Sequence, residues 1–330
     1  MTYVAAIDVG GTSMKGGLIA RDGTILHFER RPTPRAEGPD RVVAAVARFA
    51  ADLTRPWDPA RPPTPVPLEP VAGRAVPRLP AEGPAGGAPP AVPGPVAGER
   101  PAAVGVAVPG LVSRTHAVFS AAFGWRDVPA AAFADVDLPV ALGHDVRSAG
   151  EAELTYGDGE ENALYLPIGT GIAGAVVASG ELYAGTAGWA GQIGHIPVRP
   201  DGLACGCGQR GCLAAYASGS AVAARCGMPG AEDVVRLAAQ GDARAAAVWG
   251  EAVEALALAL ATYTLVADPA AVVIGGGVSL AGDALVAPLR ERLAARLAFR
   301  PAPAVRVSRL GPLAGLLGAG LLGRRAAGAA

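Results

Sequence analysis

The chain has 330 residues, 28 Lys plus Arg against 29 Asp plus Glu, and a formal net charge of −1, which is length enough for two domains with separate cores. A near-neutral balance without a basic run excludes an electrostatic nucleic-acid footprint. No uninterrupted apolar run reaches membrane-spanning length, so neither nucleic acid nor a membrane is an expected partner. The opening MTYVAAIDVGG passes straight into a strand pattern, with no charged leader or cleavage site.

Residues 3–8 are a short apolar run ending in DVGGTSMKGG, followed by Leu18, Ile19 and Ala20, a turn at Asp22 and Gly23, and a further run at 24–28. This predicts strand, glycine-rich turn, strand, turn, strand: an antiparallel meander. Residues 40–53 carry apolar side chains at helical spacing, from Val42 and Val46 to Phe49 and Leu53. Residues 55–101 hold half of the chain's 30 prolines. Such a stretch neither pairs in a sheet nor holds a helix, and it reads as a disordered surface insertion.

Strand patterns resume at 102–108, at 140–142 before Gly143, His144 and Asp145, and at 163–168 and 174–179 around Gly169, Thr170 and Gly171. A helix is expected over 148–156. Further helices are predicted near 218–226, 231–240, 242–266, 284–297 and 313–322, with strands at 272–274 and 304–307. Meanders and crossing helices that occur twice imply a duplicated α/β architecture with a cleft between its halves. The expected boundaries are 1–137, 138–311, and a C-terminal segment 312–330 packing back on the first domain.

Three glycine-rich turns follow strands, at 8–17, 169–174 and 275–277. Glycine at such places lets backbone N–H groups approach a phosphate. None is a P-loop, because the lysine of DVGGTSMKGG stands in the wrong place. Asp8 ends a buried strand and suits Mg²⁺ held through water, or a turn cap. Asp145, at a strand end before a helix, is a candidate general base and equally a helix N-cap. Cys205, Cys207 and Cys212 lie within eight residues, with His195 ten positions upstream; three thiolates and an imidazole complete a tetrahedral zinc set. Reduced cysteines of this kind fit the cytoplasm. Cys226 reads as an ordinary packed thiol.

The stretches DVGGTSMKGG, VGVAVPGLV, GTGIAGAVVASGELYAGTAGWAGQIGHI, CGCGQRGC and VVIGGGVS closely resemble, in order, the ROK family of bacterial sugar kinases and regulators. The resemblance implies an α/β fold of duplicated actin-like (ribonuclease H-like, hexokinase) ATPase domains, ATP with Mg²⁺ as donor, a structural zinc and a homodimer. With the phosphate motif beginning at residue 8, the DNA-binding head of the ROK repressors is not expected. The resemblance places the catalytic aspartate on Asp145. It places nucleotide and phosphate contacts on Asp8, Gly10, Gly11, Thr12, Lys15, Gly169, Thr170, Gly171, Gly275, Gly276 and Gly277. The zinc ligands fall on His195, Cys205, Cys207 and Cys212, and the sugar contacts on His144, Asp145, Gln192 and His195.

Compared with the glucokinase pattern, an asparagine is replaced by Ala122, another by His144, and two glutamates by Gln192 and Ala214. Each unpartnered buried hydroxyl costs about 1–3 kcal/mol. The expected activity is therefore phosphorylation of a primary hydroxyl on a hexose or sugar-like polyol other than glucose: another hexose, an amino sugar, an N-acyl sugar or a C7-cyclitol. Domain closure over the acceptor would exclude water. The alternative expectation is a catalytically weak sensor on the same fold.

Overall fold

The computed structural model describes residues 2–58, 95–120, 122–157 and 159–328. Residues 59–94, most of the expected insertion, lie outside the described residues. The chain divides into two compact units, Met1–Tyr156 with Leu313–Ala330, and Gly157–Pro312.

In the first unit β1 (Tyr3–Val9), β2 (Ser13–Ala20) and β3 (Ile25–Pro32) form the antiparallel meander, followed by α1 (Pro39–Leu53). β4 (Val104–Val108) comes next, then a small sheet of β5 (Leu111–Val112), β6 (His116–Ser120) and β7 (Trp125–Pro129), then β8 (Val140–His144) and α2 (Asp145–Tyr156). The main sheet has the order β3-β2-β1-β4-β8, with β1, β4 and β8 parallel. Every residue of β1 and β4 is buried, as the near-continuous apolar reading of a parallel strand covered on both faces requires.

Ser13, Lys15, Gly16 and Gly17 lie in a strand, so the glycine-rich turn is shorter than the expected 8–17. Gly16 belongs there because a Cβ would overlap the Phe49 ring, where α1 buries Val42, Val46, Phe49, Ala50 and Leu53. The sheet of β5, β6 and β7 is additional to the expected elements. Its strands are short and mostly half-exposed, so they lack an apolar alternation to read.

The second unit repeats the scheme. β9 (Ala163–Pro167), β10 (Ala175–Ala178) and β11 (Glu181–Tyr183) form an antiparallel meander. The helices α3 (Ala214–Ala217), α4 (Gly219–Cys226), α5 (Ala231–Ala239) and α6 (Ala243–Ala267) precede β12 (Ala271–Gly275), α7 (Asp283–Arg296) and β13 (Ala304–Val307). The order is β11-β10-β9-β12-β13, with β9, β12 and β13 parallel. Each unit thus has one meander extended by two parallel strands. α6 is long and apolar enough to cross a membrane by length and composition, which the interrupted sequence pattern does not suggest. It is the core helix of this unit, burying Val248, Trp249, Val253, Leu256 and Leu260 among others.

The structure corrects two expectations. The division falls at 156/157 rather than 137/138, because β8 hydrogen-bonds to β4 and carries α2 with it into the first unit. The described ends of the proline-rich stretch are pinned. Trp57 N–H donates to Glu99 O at 2.8 Å and Gly98 N–H to Trp57 O at 2.9 Å. Tyr3 Oη donates to Glu99 O and Arg100 Nε to Thr54 O, each at 3.0 Å.

The C-terminal helix, Ala314–Ala326, packs on β1, β4, β8 and α2 of the first unit. Glycine permits the approach: a Cβ on Gly105 of β4 would overlap Ala319 O, and one on Gly318 would overlap Ser148 O. Gly105→Ala is therefore expected to reach or exceed the upper end of the about 1–3 kcal/mol that overpacking costs. The urea midpoint reads this, and an unchanged midpoint would contradict the seating.

Candidate functional site

In the first unit the functional candidates gather at the C-terminal ends of parallel strands. Asp8 stands next to last in β1, is 8% exposed, and accepts a bond from Lys15 Nζ at 3.0 Å. The register Asp8↔Lys15 across β1 and β2 creates this pair. Gly10, Gly11 and Thr12 make the turn between those strands, closed by Gly10 N–H to Ser13 O at 3.1 Å. Thr33 holds it from outside, through Oγ1 to Gly10 O at 2.8 Å and its N–H to Thr12 O at 3.0 Å.

Asp145 is the first residue of α2, directly after β8, and is partly buried. Its Oδ1 accepts the Val146 N–H at 2.7 Å and lies 3.4 Å from His144 Nδ1. Burial pushes its carboxyl above the ordinary value, Asp8 adds to the rise, and His144 and the Val146 N–H oppose it. His144 is pushed down by burial, with Asp145 opposing and Arg147 reinforcing. Its Nδ1 accepts the Arg147 N–H at 3.3 Å, an arrangement that places the ring proton on Nε2. Arg147, which the motif reading passes over, supplies a cation beside Asp145 and reaches Val112 O of β5 at 3.4 Å. Its signal lies in its place: two residues past the aspartate, in the first turn of the same helix. Ala122 packs, partly buried, against the core of this unit.

In the second unit the turn at Gly169, Thr170 and Gly171 closes by Gly169 N–H to Gly171 O at 3.0 Å. The start of α4 holds it: Gly219 N–H donates to Gly169 O at 2.7 Å and Ser220 Oγ to Thr170 O at 2.6 Å. Side chains added at Gly169, Gly171 or Gly277 would meet nothing within 4 Å, whereas Cβ atoms on Gly275 and Gly276 would press on Tyr165 and Ile168. Gly275 and Gly276 are thus demanded by packing, and the open backbone is at Gly169, Gly171 and Gly277. The loop bearing Gln192 and His195 is seated on the residues just past the turn. Gly174 N–H donates to Gly191 O at 2.6 Å, and a Cβ on Gly194 would overlap Ile172 O.

His195, Cys205, Cys207 and Cys212 meet in this unit, all four ligand atoms within 4.8 Å of one another. Cys205 Sγ lies 3.8 Å from His195 Nδ1 and Cys207 Sγ 3.7 Å from Cys212 Sγ. A tetrahedron with metal–sulfur bonds of about 2.3 Å has edges of about 3.8 Å, so the donor set fits zinc. Gly208 and Gly211, both at positive φ, turn the hairpin. Tyr216 Oη accepts the Leu203 N–H at 2.8 Å and ties the hairpin to α3. Gln209 Oε1, inside the motif but not singled out by it, lies 3.4 Å from Cys212 Sγ. Burial and the neighbouring sulfurs push the Cys212 thiol up to about 12. Cys226 is buried in the core of the unit.

Two α/β units of one topology, each with a glycine turn at its strand ends, define the actin-like, hexokinase-type fold. The ROK family model matches residues 96–326. A glucokinase of Thermotoga maritima is 30% identical over 313 residues, covering 87% of this chain and 86% of that one. An N-acetylmannosamine kinase of Yersinia pestis is 38% identical over 150 residues, 44% of this chain and 52% of that one. The crystal structure of a ROK family glucokinase from Streptomyces griseus with glucose and AMPPNP superposes with a TM-score of 0.75. It is 26% identical and covers 98% of this chain and 99% of that one. The chain belongs to the ROK family, on the side of its sugar kinases.

A raised Asp145 carboxyl carries a sign for stability. The native state holds this proton to higher pH than the unfolded chain, so ionising it costs stability as pH rises through the native value. Asp145→Asn is therefore expected to raise Tm at pH 7, with the gain fading below the ordinary carboxylate value. A Tm lowered at pH 7 would contradict a carboxyl raised by burial.

Proposed function

We propose that this chain, an ATP-dependent sugar kinase by its kinship, phosphorylates a primary hydroxyl of a hexose or sugar-like polyol other than glucose. The observation that carries the reading is Asp145, a carboxylate partly buried at the end of β8, with its pKa shifted toward the pH where a base works. Asp145 takes the hydroxyl proton as the oxygen bonds to the γ-phosphorus and the bond to the ADP oxygen breaks. The products are the phosphate ester, ADP and a protonated Asp145. Backbone N–H groups near Gly11 and Thr12, and near Gly169 and Gly171, hold phosphates, with Lys15 beside the first set and Gly277 toward the nucleoside. The open space at Gly169, Gly171 and Gly277 suits that use.

Asp8 offers hard oxygen donors for Mg²⁺, directly or through water, and Lys15 engages only Oδ2 in the described bonds. When bound, Mg²⁺ supplies charge neutralisation at the phosphates. His195, Cys205, Cys207 and Cys212 would hold a structural Zn²⁺, and with Nδ1 of His195 facing the Cys205 sulfur, Nε2 would be left for an acceptor hydroxyl. We place the working protein in the cytoplasm as a homodimer, the compartment because free thiolates need reducing conditions.

The acceptor contacts are His144, Asp145, Gln192 and His195. An amide at Gln192 and methyls at Ala122 and Ala214 offer fewer hydrogen bonds to a glucose ring and more room. An N-acyl or amino sugar, or a C7-cyclitol, suits such a set of contacts. The same losses favour a second reading, a metabolite sensor without useful turnover.

An ATP-coupled assay across hexoses, N-acyl sugars and cyclitols separates the two, with turnover on at least one non-glucose acceptor expected to exceed that on glucose. No turnover on any would leave the sensor standing. Asp145→Asn is expected to lower kcat by about 10²–10⁴-fold, and near-normal turnover would remove the base assignment. Elemental analysis should find one zinc per chain, lost together with thermal stability in Cys207→Ala; a metal-free wild-type protein would refute the site.

A further inference from the structure

We propose that the C-terminal helix positions the reaction carboxylates of the first unit, and that Gly315 is the positioning residue for Asp8, an inference that rests on reading Asp8 and Asp145 as reaction groups. A Cβ on Gly315 would stand 2.5 Å from Asp8 Oδ2 and 2.8 Å from Oδ1. The carboxylate therefore lies flat against the bare backbone of the helix's first turn, with Lys15 Nζ at 3.0 Å holding Oδ2. The strand bearing Asp8 is fixed on both sides, by Lys15 in β2 and Ala107 in β4. Only the two side-chain torsions of Asp8 can give way to a methyl at 315, and giving way moves the carboxylate.

One turn along the helix, Gly318 lies against Ser148 O and Ala149 N in the first turns of α2, the helix headed by Asp145. Residues three apart share a helix face, so one face is fitted under both places. The two contacts differ in what opposes a methyl. At 318 it is backbone, and the variant risks not folding. At 315 it is the end of a side chain, so Gly315→Ala should fold with Asp8 displaced. Gly320, which faces the Ile19 side chain at 3.1–3.2 Å, is the control on the same helix.

In the full-length chain Gly315→Ala is expected to lower kcat on the order of 10²-fold, the scale of a misplaced reaction group. The acceptor KM should stay unchanged and the Mg²⁺ concentration for half-maximal rate should rise, while Gly320→Ala keeps the wild-type kcat. Without nucleotide or Mg²⁺, Gly315→Ala should lower Tm in the wild-type background but not beside Asp8→Ala, where the opposing carboxylate is gone. Wild-type kcat and Mg²⁺ dependence in Gly315→Ala would overturn the positioning role. An equal Tm loss in both backgrounds would overturn the contact. Wild-type turnover in Asp8→Ala would instead overturn the role assigned to Asp8 itself, an outcome the Tm cycle keeps distinct.

Discussion

The first unit depends on how closely the last helix of the chain lies on its sheet. Gly105 in β4 admits the carbonyl of Ala319, Gly143 in β8 admits the side chain of Leu322, and Gly318 admits the backbone of α2. Side chains at these places would hold the layers apart and forfeit the dispersion contacts that a close-packed interior supplies. Val4, Val104, Val106, Leu316 and Leu317 are all buried at 1% exposure or less. The strands whose ends carry Asp8 and Asp145 are thus locked to a segment more than 150 residues away in sequence.

The same economy appears in the second unit with a different part. There the turn at Gly169, Thr170 and Gly171 is fixed by two hydrogen bonds from the start of α4, and Ser218 caps that helix by accepting the Ala221 N–H. The hairpin of three thiols is fixed to α3 by Tyr216, whose ring lies under Arg199 and Arg225, both paired with Glu251 of α6. A loop rich in glycine has little apolar surface of its own, so its order is borrowed from the helices beneath.

Chemistry follows from charge placed where water is partly excluded. Asp145 has the His144 imidazole 3.4 Å away and Arg147 two residues on in the same helix, and feels Asp8 as a like charge. Low local dielectric strengthens each of these interactions. His144 and the Val146 N–H draw the carboxyl down, while burial and Asp8 keep it basic. A carboxylate left in water would be a weaker base for a hydroxyl proton.

Short-range chemistry was legible in the residues themselves. CGCGQRGC with His195 upstream implied a single cluster because few residues separate the sulfurs. The first meander and the pair β9 and β10 were readable from short apolar runs between glycine-rich turns, and α4, α5, α6 and α7 stand near their expected places, whereas β11, three residues with none buried, had no such run. The domain boundary was not readable, since the pairing of β8 with β4 is a contact across about thirty residues that no local pattern encodes. Nor was the difference between Gly275, held by Tyr165, and Gly277, which faces open space. The sequence alone determined which groups are available: a carboxylate, bare backbone turns, a thiolate set. Only the tertiary structure decided that Asp8 rests on Gly315 and that Asp145 feels Asp8, because burial and like-charge repulsion arise from neighbours that the chain brings together only on folding.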